Sequence, residues 1–198
     1  MDVMFYEVFE EEEKALRRFL PAGMAAGFSP DTVQASRAKR PPAPLISIRT
    51  QSVVPPEWAA GLSGILTRST GCDHVRGYPA RCGYLPCYCA RSVAEQAVLL
   101  MMALLRRLKP QLKKLETFSR NGLTGRECLN RRALVVGVGN IGREVVGLAK
   151  GLGMTVSGVD LVRRLADLEY VGLDEGISRS DVILCCLPLT ELTRNLLG

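Results

Sequence analysis

Residues 133–142 read Ala-Leu-Val-Val-Gly-Val-Gly-Asn-Ile-Gly, an apolar run that ends in G-x-G-x-x-G and opens a helical pattern at 143–152. No other feature of the chain constrains its fold as much. A buried strand must turn sharply into a helix, and each glycine has a separate steric job. Gly137 permits the tight turn. Gly139 lets the backbone approach a pyrophosphate where a Cβ would collide with it. Gly142 lets the helix lie close to the strand. The N–H groups and dipole of the helix N-terminus then favour phosphate.

A second apolar run at 155–159 is followed by Asp160. A carboxylate there accepts hydrogen bonds from a ribose 2′-hydroxyl and repels a 2′-phosphate, which favours NAD over NADP. Arg163 and Arg164 nearby temper that preference. Strand, glycine turn, helix and second strand together make the motif far more specific than the glycines alone.

The rest of the pattern predicts an α/β chain. Strands are expected at 3–9, 24–28, 45–48, 64–67 and 84–88, with a helix over 10–20 carrying Glu10–Lys14 and Glu13–Arg17 pairs at i,i+4. Pro55-Pro56 opens a further helical turn through Trp58. Alternation of this kind implies parallel sheets covered by helices. The longest helical pattern, 92–108, places Val93, Ala97, Leu100, Met101, Leu104, Leu105 and Leu108 on one apolar side, and Pro110 is expected to kink or end it. A turn-rich loop at 121–125 follows. Later strands are expected at 133–136, 155–159, near Tyr170 and at 182–187, with the helix at 143–152 between the first two. The predicted boundary falls near residue 95, giving domains 1–95 and 96–198 joined by the long helix.

Composition removes several function classes. The 26 Lys+Arg exceed the 20 Asp+Glu for a net charge of +6, but the basic residues are dispersed. Arg106, Arg107, Lys109, Lys113 and Lys114 interleave with leucines and read as the solvated face of a helix whose other face is buried. No aromatics interleave with them to stack on bases, so nucleic acid is not the expected partner. The longest apolar run, 97–105, is too short to cross a bilayer, and no membrane partner is expected. The acidic start, Glu10 to Glu13, argues against a targeting peptide, and a cytoplasmic location is expected. Cys72, Cys82, Cys87 and Cys89, with His74 in reserve, match no common zinc spacing; the seven cysteines are expected to be reduced and mostly buried, with no metal.

Four blocks in order make the chain resemble the NAD-dependent D-isomer-specific 2-hydroxyacid dehydrogenases. They are Thr67-Arg68-Ser69-Thr70-Gly71-Cys72-Asp73-His74, the segment Ala90 to Ala97, the glycine fingerprint, and Cys186-Leu187-Pro188-Leu189-Thr190 with Thr193. Many members have His where Gln96 and Cys186 stand here. The resemblance implies a flavodoxin-like N-terminal substrate domain followed by a Rossmann-type doubly wound parallel sheet, cut short at its C-terminus. It implies that the backbone at Asn140 and Ile141 meets the pyrophosphate and that Asp160 meets the adenosine ribose. By the same resemblance Leu187, Pro188 and Thr193 lie along the cofactor cleft. Thr70 and Gly71 line the substrate pocket, where backbone N–H groups hold a carboxylate. Tyr88 falls where some members place an aromatic or hydroxyl near the substrate. Arg49 ends a strand facing the same cleft, suited to an anionic substrate.

The implied activity is hydride transfer between NAD(H) and a 2-keto or 2-hydroxy acid, and the implied assembly is a homodimer through the helix at 92–108, with Leu100, Met101 and Leu104 shared. In the family the catalytic His, Glu or Asp, and Arg lie C-terminal to the Cys186 block, and the chain reaches Gly198 without them. The only histidine, His74, stands in the turn block and reads as a turn or surface residue. No catalytic residues are therefore assigned, and the chain is expected to be a truncated and inactive member with an exposed apolar strand, 182–187, at its last sheet edge. The alternatives are a non-enzymatic NAD(H)-binding sensor or interaction module, as in the related C-terminal-binding-protein corepressors, and an inert truncated product.

Overall fold

A computed structural model describes residues 1–197 of the chain. It divides into two compact units, the first ending at Tyr88 and the second starting at Cys89. The long helix expected to connect two halves lies wholly within the second unit.

The first unit is built on β1 (Val3–Phe5), β2 (Ala26–Phe28), β3 (Leu45–Ile48), β4 (Gly64–Thr67) and β5 (Cys82–Gly83), which pair in the order β2-β1-β3-β4-β5. Every pairing is parallel. This is the flavodoxin-type strand order. Helix α1 (Glu10–Phe19) carries four acids in its first turn and two arginines in its last, which complements its dipole. Both expected pairs form, Lys14 Nζ to Glu10 Oε1 at 2.8 Å and Arg17 Nη2 to Glu13 Oε1 at 2.6 Å. The core gathers Tyr6, Ile46, Ile48, Trp58 and Ile65, and a smaller cluster of Val3, Phe5 and Val8 receives Leu16 from α1.

Two strand expectations are corrected. β1 stops at Phe5 instead of residue 9 because Glu7 adopts φ 55°, a left-handed conformation that breaks an extended run. Residues 84–88 form no strand; β5 ends at Gly83, and Pro86 lies just beyond it, where it has no N–H to give a ladder. The segment after Pro55 is a 3-10 helix, Pro56–Gly61, that seats the buried Trp58.

The second unit contains α2 (Ala90–Leu105), α3 (Leu108–Lys114), β6 (Arg132–Val136), α4 (Asn140–Gly151), β7 (Thr155–Val159), β8 (Glu169–Tyr170), α5 (Leu173–Arg179) and β9 (Val182–Cys185). Its sheet is also all parallel, in the order β8-β7-β6-β9. β6 is buried from Ala133 to Val136, and Val145, Val146 and Ala149 of α4 cover it together with Ala94, Val98 and Met101 of α2. Among the described residues β9 pairs with β6 alone, and Ile183 is exposed on it.

The long helix differs from its expected form in three ways. It buries Ala94, Val98 and Met101, with Ala97 and Leu105 partly buried against the same core, whereas Leu100 and Leu104 are 55% and 80% exposed, so only part of the expected stripe is covered and apolar residues encircle the helix. It ends before Pro110, at Leu105, and Arg107, with φ 56°, separates it from α3; Pro110 then sits in the first turn of α3, where its missing N–H costs nothing. The basic residues of α3 do not face away from a buried side, because α3 buries no residue and Leu108 and Leu112 stay exposed. α5 was not anticipated: only Gly176 of its seven residues is buried, so no apolar stripe marks it in the sequence.

Candidate functional site

In a doubly wound sheet a crevice opens at the carboxyl ends of the strands where the chain switches direction. In the second unit that point lies between β6 and β9, since β7 and β8 extend to one side of β6 and β9 lies on the other. The glycine turn leaves β6 there. Gly137 has φ 91°, and a Cβ on it would come within 3.0 Å of the Cys186 carbonyl carbon and the Leu187 nitrogen. A Cβ on Gly142 would stand 1.9 Å from the Gly137 oxygen. These two glycines are required by the protein's own backbone. Gly139 is different: a Cβ there would meet nothing within 4 Å. Its bare face opens onto space, and it forms the N-cap of α4 with no side chain capping the helix. Packing does not require the missing Cβ, whereas an incoming phosphate would.

Asp160 follows β7 and closes the next side of the turn. Its Oδ2 accepts the Val138 N–H at 2.7 Å and its Oδ1 accepts the Val162 N–H at 2.9 Å. The Arg164 guanidinium lies 3.7 Å from Oδ2, and Arg163 stacks over the Tyr170 ring. Each carboxylate oxygen retains acceptor capacity for a hydroxyl. At the end of β9 the Cys186 N–H donates to the Val136 carbonyl at 2.7 Å, which ties the Cys185-Cys186 peptide to the start of the glycine turn. Burial pushes the Cys186 thiol up to about 11, with the adjacent Cys185 adding to the rise. The Thr193 hydroxyl donates to the Pro188 carbonyl at 2.6 Å and accepts the Thr190 N–H at 2.8 Å. A cavity of about 280 Å³ beside this turn is lined by Leu187, Pro188 and Thr193. The fold thus brings Gly137, Gly139, Asn140, Ile141, Gly142, Asp160, Leu187, Pro188 and Thr193 to one edge of one sheet. An open glycine, an uncapped helix N-terminus and a carboxylate at the end of the next strand fit a dinucleotide.

The second group of predicted residues lies on the first unit, again at carboxyl ends of parallel strands. Arg49 follows β3, and Thr70 and Gly71 follow β4. Arg49 Nη1 is 3.5 Å from Glu12 Oε1, and its guanidinium lies 5.0 Å from the Phe9 ring centre. The Gly71 carbonyl accepts the Ser69 hydroxyl at 2.6 Å. Tyr88 is half exposed, and its hydroxyl donates to the Arg68 carbonyl at 3.1 Å.

Sequence reasoning missed the charged pair that organises this edge. Arg68 is buried, and its guanidinium donates to Glu12 Oε1 at 2.8 Å, Ser47 Oγ at 2.9 Å and the Tyr6 carbonyl at 2.7 Å. Glu7 is also buried and accepts the N–H groups of Arg49, Gln51 and Ser52. Burial pushes the Glu7 carboxyl up, but the Ser52 hydroxyl and the three N–H donors outweigh it and hold it below the usual carboxylate range. The available signal was an arginine placed directly after an apolar strand. The cysteine expectation is corrected too: Cys82, Cys87 and Cys185 are exposed and the other four only half-buried, because these residues occupy loops and strand ends. Among the described residues no three His, Cys, Asp or Glu groups gather as a metal site, and no helix is long and apolar enough to cross a membrane.

Residues 98–198 match the family model described as D-isomer specific 2-hydroxyacid dehydrogenase, NAD binding domain. A D-specific alpha-keto acid dehydrogenase of Enterococcus faecalis is 33% identical over 144 residues, covering 70% of this chain and 44% of that protein. The D-lactate dehydrogenase of Escherichia coli is 37% identical over 120 residues, covering 58% of this chain and 36% of that protein. The chain therefore spans less than half the length of these relatives. Among solved structures, the D-lactate dehydrogenase of Aquifex aeolicus, complexed with NAD and lactic acid, is similar with a TM-score of 0.82 at 28% identity, covering 97% of this chain and 62% of that one. With half of its length matched by the family model and its strand orders those of the fold, the chain belongs to the D-isomer specific 2-hydroxyacid dehydrogenase family, and its second unit carries the family's NAD-binding domain.

Proposed function

We propose that the chain binds NAD(H) at the carboxyl edge of the second sheet and serves an NAD-dependent oxidoreductase of the D-2-hydroxyacid dehydrogenase type. The observation that carries this reading is the open space at Gly139, set at an uncapped helix N-terminus on the strand-order switch point. The N–H groups of Asn140 and Ile141 hold the pyrophosphate, and the Asp160 carboxylate accepts the hydroxyls of the adenosine ribose. Leu187, Pro188 and Thr193 line the cleft. When bound, the nicotinamide supplies or receives the hydride. In residues 1–95, assigned to substrate, Thr70 and Gly71 offer backbone N–H groups to the carboxylate of a 2-keto or 2-hydroxy acid. Arg49 adds a cation, and Tyr88 borders the pocket. A cytoplasmic setting accords with seven free thiols.

Calorimetry with NADH and NADPH tests the nucleotide half. Gly139→Val abolishes binding by filling the phosphate's space, and Asp160→Ala weakens NADH about tenfold while narrowing its advantage over NADPH. Tighter binding of NADPH than NADH by the unaltered chain would remove the role given to Asp160.

A second reading, a nucleotide-binding module without turnover, is favoured by one specific contact. The chain's sole histidine has its Nε2 2.9 Å from Thr67 Oγ1, engaged inside its own turn. General acid catalysis is worth about 10² to 10⁴ in rate, and this ring nitrogen is spent. The purified chain is expected to give no loss of NADH absorbance above background with pyruvate, glyoxylate, hydroxypyruvate or phenylpyruvate; clear turnover rejects this reading. For assembly we assign Leu100 and Leu104 on α2 to contact with a second copy; Met101, at 3% exposure, is spent in the core and is withdrawn from that surface. A sedimenting monomer at micromolar concentration would count against the dimer.

A further inference from the structure

Three polar side chains of the β4 turn form a continuous chain. His74 Nε2 lies 2.9 Å from Thr67 Oγ1, Thr67 Oγ1 lies 2.6 Å from Ser69 Oγ, and Ser69 Oγ lies 2.6 Å from the Gly71 oxygen. Thr67 and Ser69 are buried. Proton bookkeeping gives this chain a direction. A carbonyl only accepts, so the single Ser69 hydroxyl proton goes to the Gly71 oxygen. Ser69 then has only lone pairs to offer Thr67, so the Thr67 proton goes to Ser69. Thr67 in turn has only a lone pair to offer His74. The proton between those two therefore belongs to the imidazole, on Nε2.

We propose that His74 is a positioning residue: by donating from Nε2 through Thr67 and Ser69 to the Gly71 carbonyl, it fixes the Gly71-Cys72 peptide that closes the Thr70-Gly71 turn assigned above to the substrate carboxylate. The proposal rests on the substrate reading given above and adds a role for a side chain that the reading leaves unused. Fixing the Gly71 carbonyl toward Ser69 holds the Gly71-Cys72 peptide plane, so the Cys72 N–H is directed to the opposite side of the turn. A turn that presents N–H groups to an anion needs such a restraint, because a peptide free to flip would offer a carbonyl oxygen to the carboxylate instead. The relay uses hydroxyls buried beside β4, where water competes poorly for their hydrogen bonds. It also accounts for a histidine at this position without asking it to touch the substrate.

The experiment is nitrogen-15 NMR of the full chain, whose one histidine gives an unambiguous ring signal. The neutral ring is expected to carry its proton on Nε2; a proton on Nδ1 overturns the relay. Three variants follow. His74→Gln keeps a donor at the position of Nε2, His74→Phe keeps a ring without one, and Ser69→Ala cuts the chain without changing the ring. The amide signals of Gly71 and Cys72 are expected to move in His74→Phe and Ser69→Ala and to stay in His74→Gln. Unmoved signals in a folded Ser69→Ala overturn the relay whether or not any ligand binds. Pyruvate, titrated into each protein, is expected to bind the unaltered chain and His74→Gln alike and the other two about tenfold more weakly. Failure of the unaltered chain to bind pyruvate while the amide signals respond as expected rejects the substrate reading and leaves the relay standing. Equal binding by all four proteins removes the positioning role.

Discussion

The two sheets share parallel strands and the rule that function gathers at carboxyl ends, yet they finish those ends in opposite ways. The first closes its edge with charged side chains: Arg68 reaches back to Ser47, the Tyr6 carbonyl and Glu12, and Glu7 gathers the N–H groups after β3. The second keeps its glycine turn bare, with close backbone approach at Gly137 and Gly142 and open space at Gly139, while Asp160 holds the Val138 and Val162 N–H groups beside it. The difference reflects what each edge holds in place. Long polar side chains order loops that no helix restrains, whereas a phosphate needs bare N–H groups and no side chain in the way.

The largest way to break this contrast is Gly142→Ala. Its Cβ would stand 1.9 Å from a backbone oxygen that cannot swing aside. We expect a loss of about 3 kcal/mol or more, read as faster hydrogen exchange in β6 and α4. An unchanged exchange pattern would mean that the glycine turn is not held by close approach. Next comes Arg68→Met. It leaves the Tyr6 carbonyl and the Ser47 hydroxyl without their donor and Glu12 without its main cation. With Glu12 partly in water, the expected cost is about 2 kcal/mol. The sole tryptophan, Trp58, is buried in the first unit, so its fluorescence reports the transition. A Trp58 transition at the unaltered denaturant concentration would discredit the clamp.

The smallest effect sharpens the comparison instead. Glu7→Gln removes the charge that three N–H groups share, at an expected cost of about 1 kcal/mol at neutral pH. The folded carboxyl is held below its ordinary range, so its contribution is complete above that range and lost as pH falls through the folded value. The unaltered chain and the variant should therefore converge in acid. A difference that persists undiminished at low pH would mean that Glu7 acts by shape and not by charge.

Much of the second site was legible in order along the chain. The glycine turn, the strand before it, the helix after it and Asp160 are local in sequence, and each answers to one steric or electrostatic demand. The first unit's edge was not legible in this way. Glu7, Glu12, Ser47 and Arg68 come from separate elements, and each alone reads as an ordinary surface residue. Glu12 sits in an acidic run that i,i+4 pairing already explains, although its carboxylate goes to Arg68 and Arg49.

The sequence by itself determined the parallel α/β class, the glycine turn and the carboxylate at the next strand's end, because periodicity and glycine sterics act over a few residues. Tertiary structure alone decided which side of α2 is buried, since Leu100 and Leu104 are as apolar as Val98 and Met101 and only the position of α4 separates them. It also decided where β1 ends, by turning Glu7 to a positive φ so that its carboxylate reaches the loop after β3. And it decided what His74 does, because a proton's direction through Thr67 and Ser69 depends on distances that no spacing in the chain reveals.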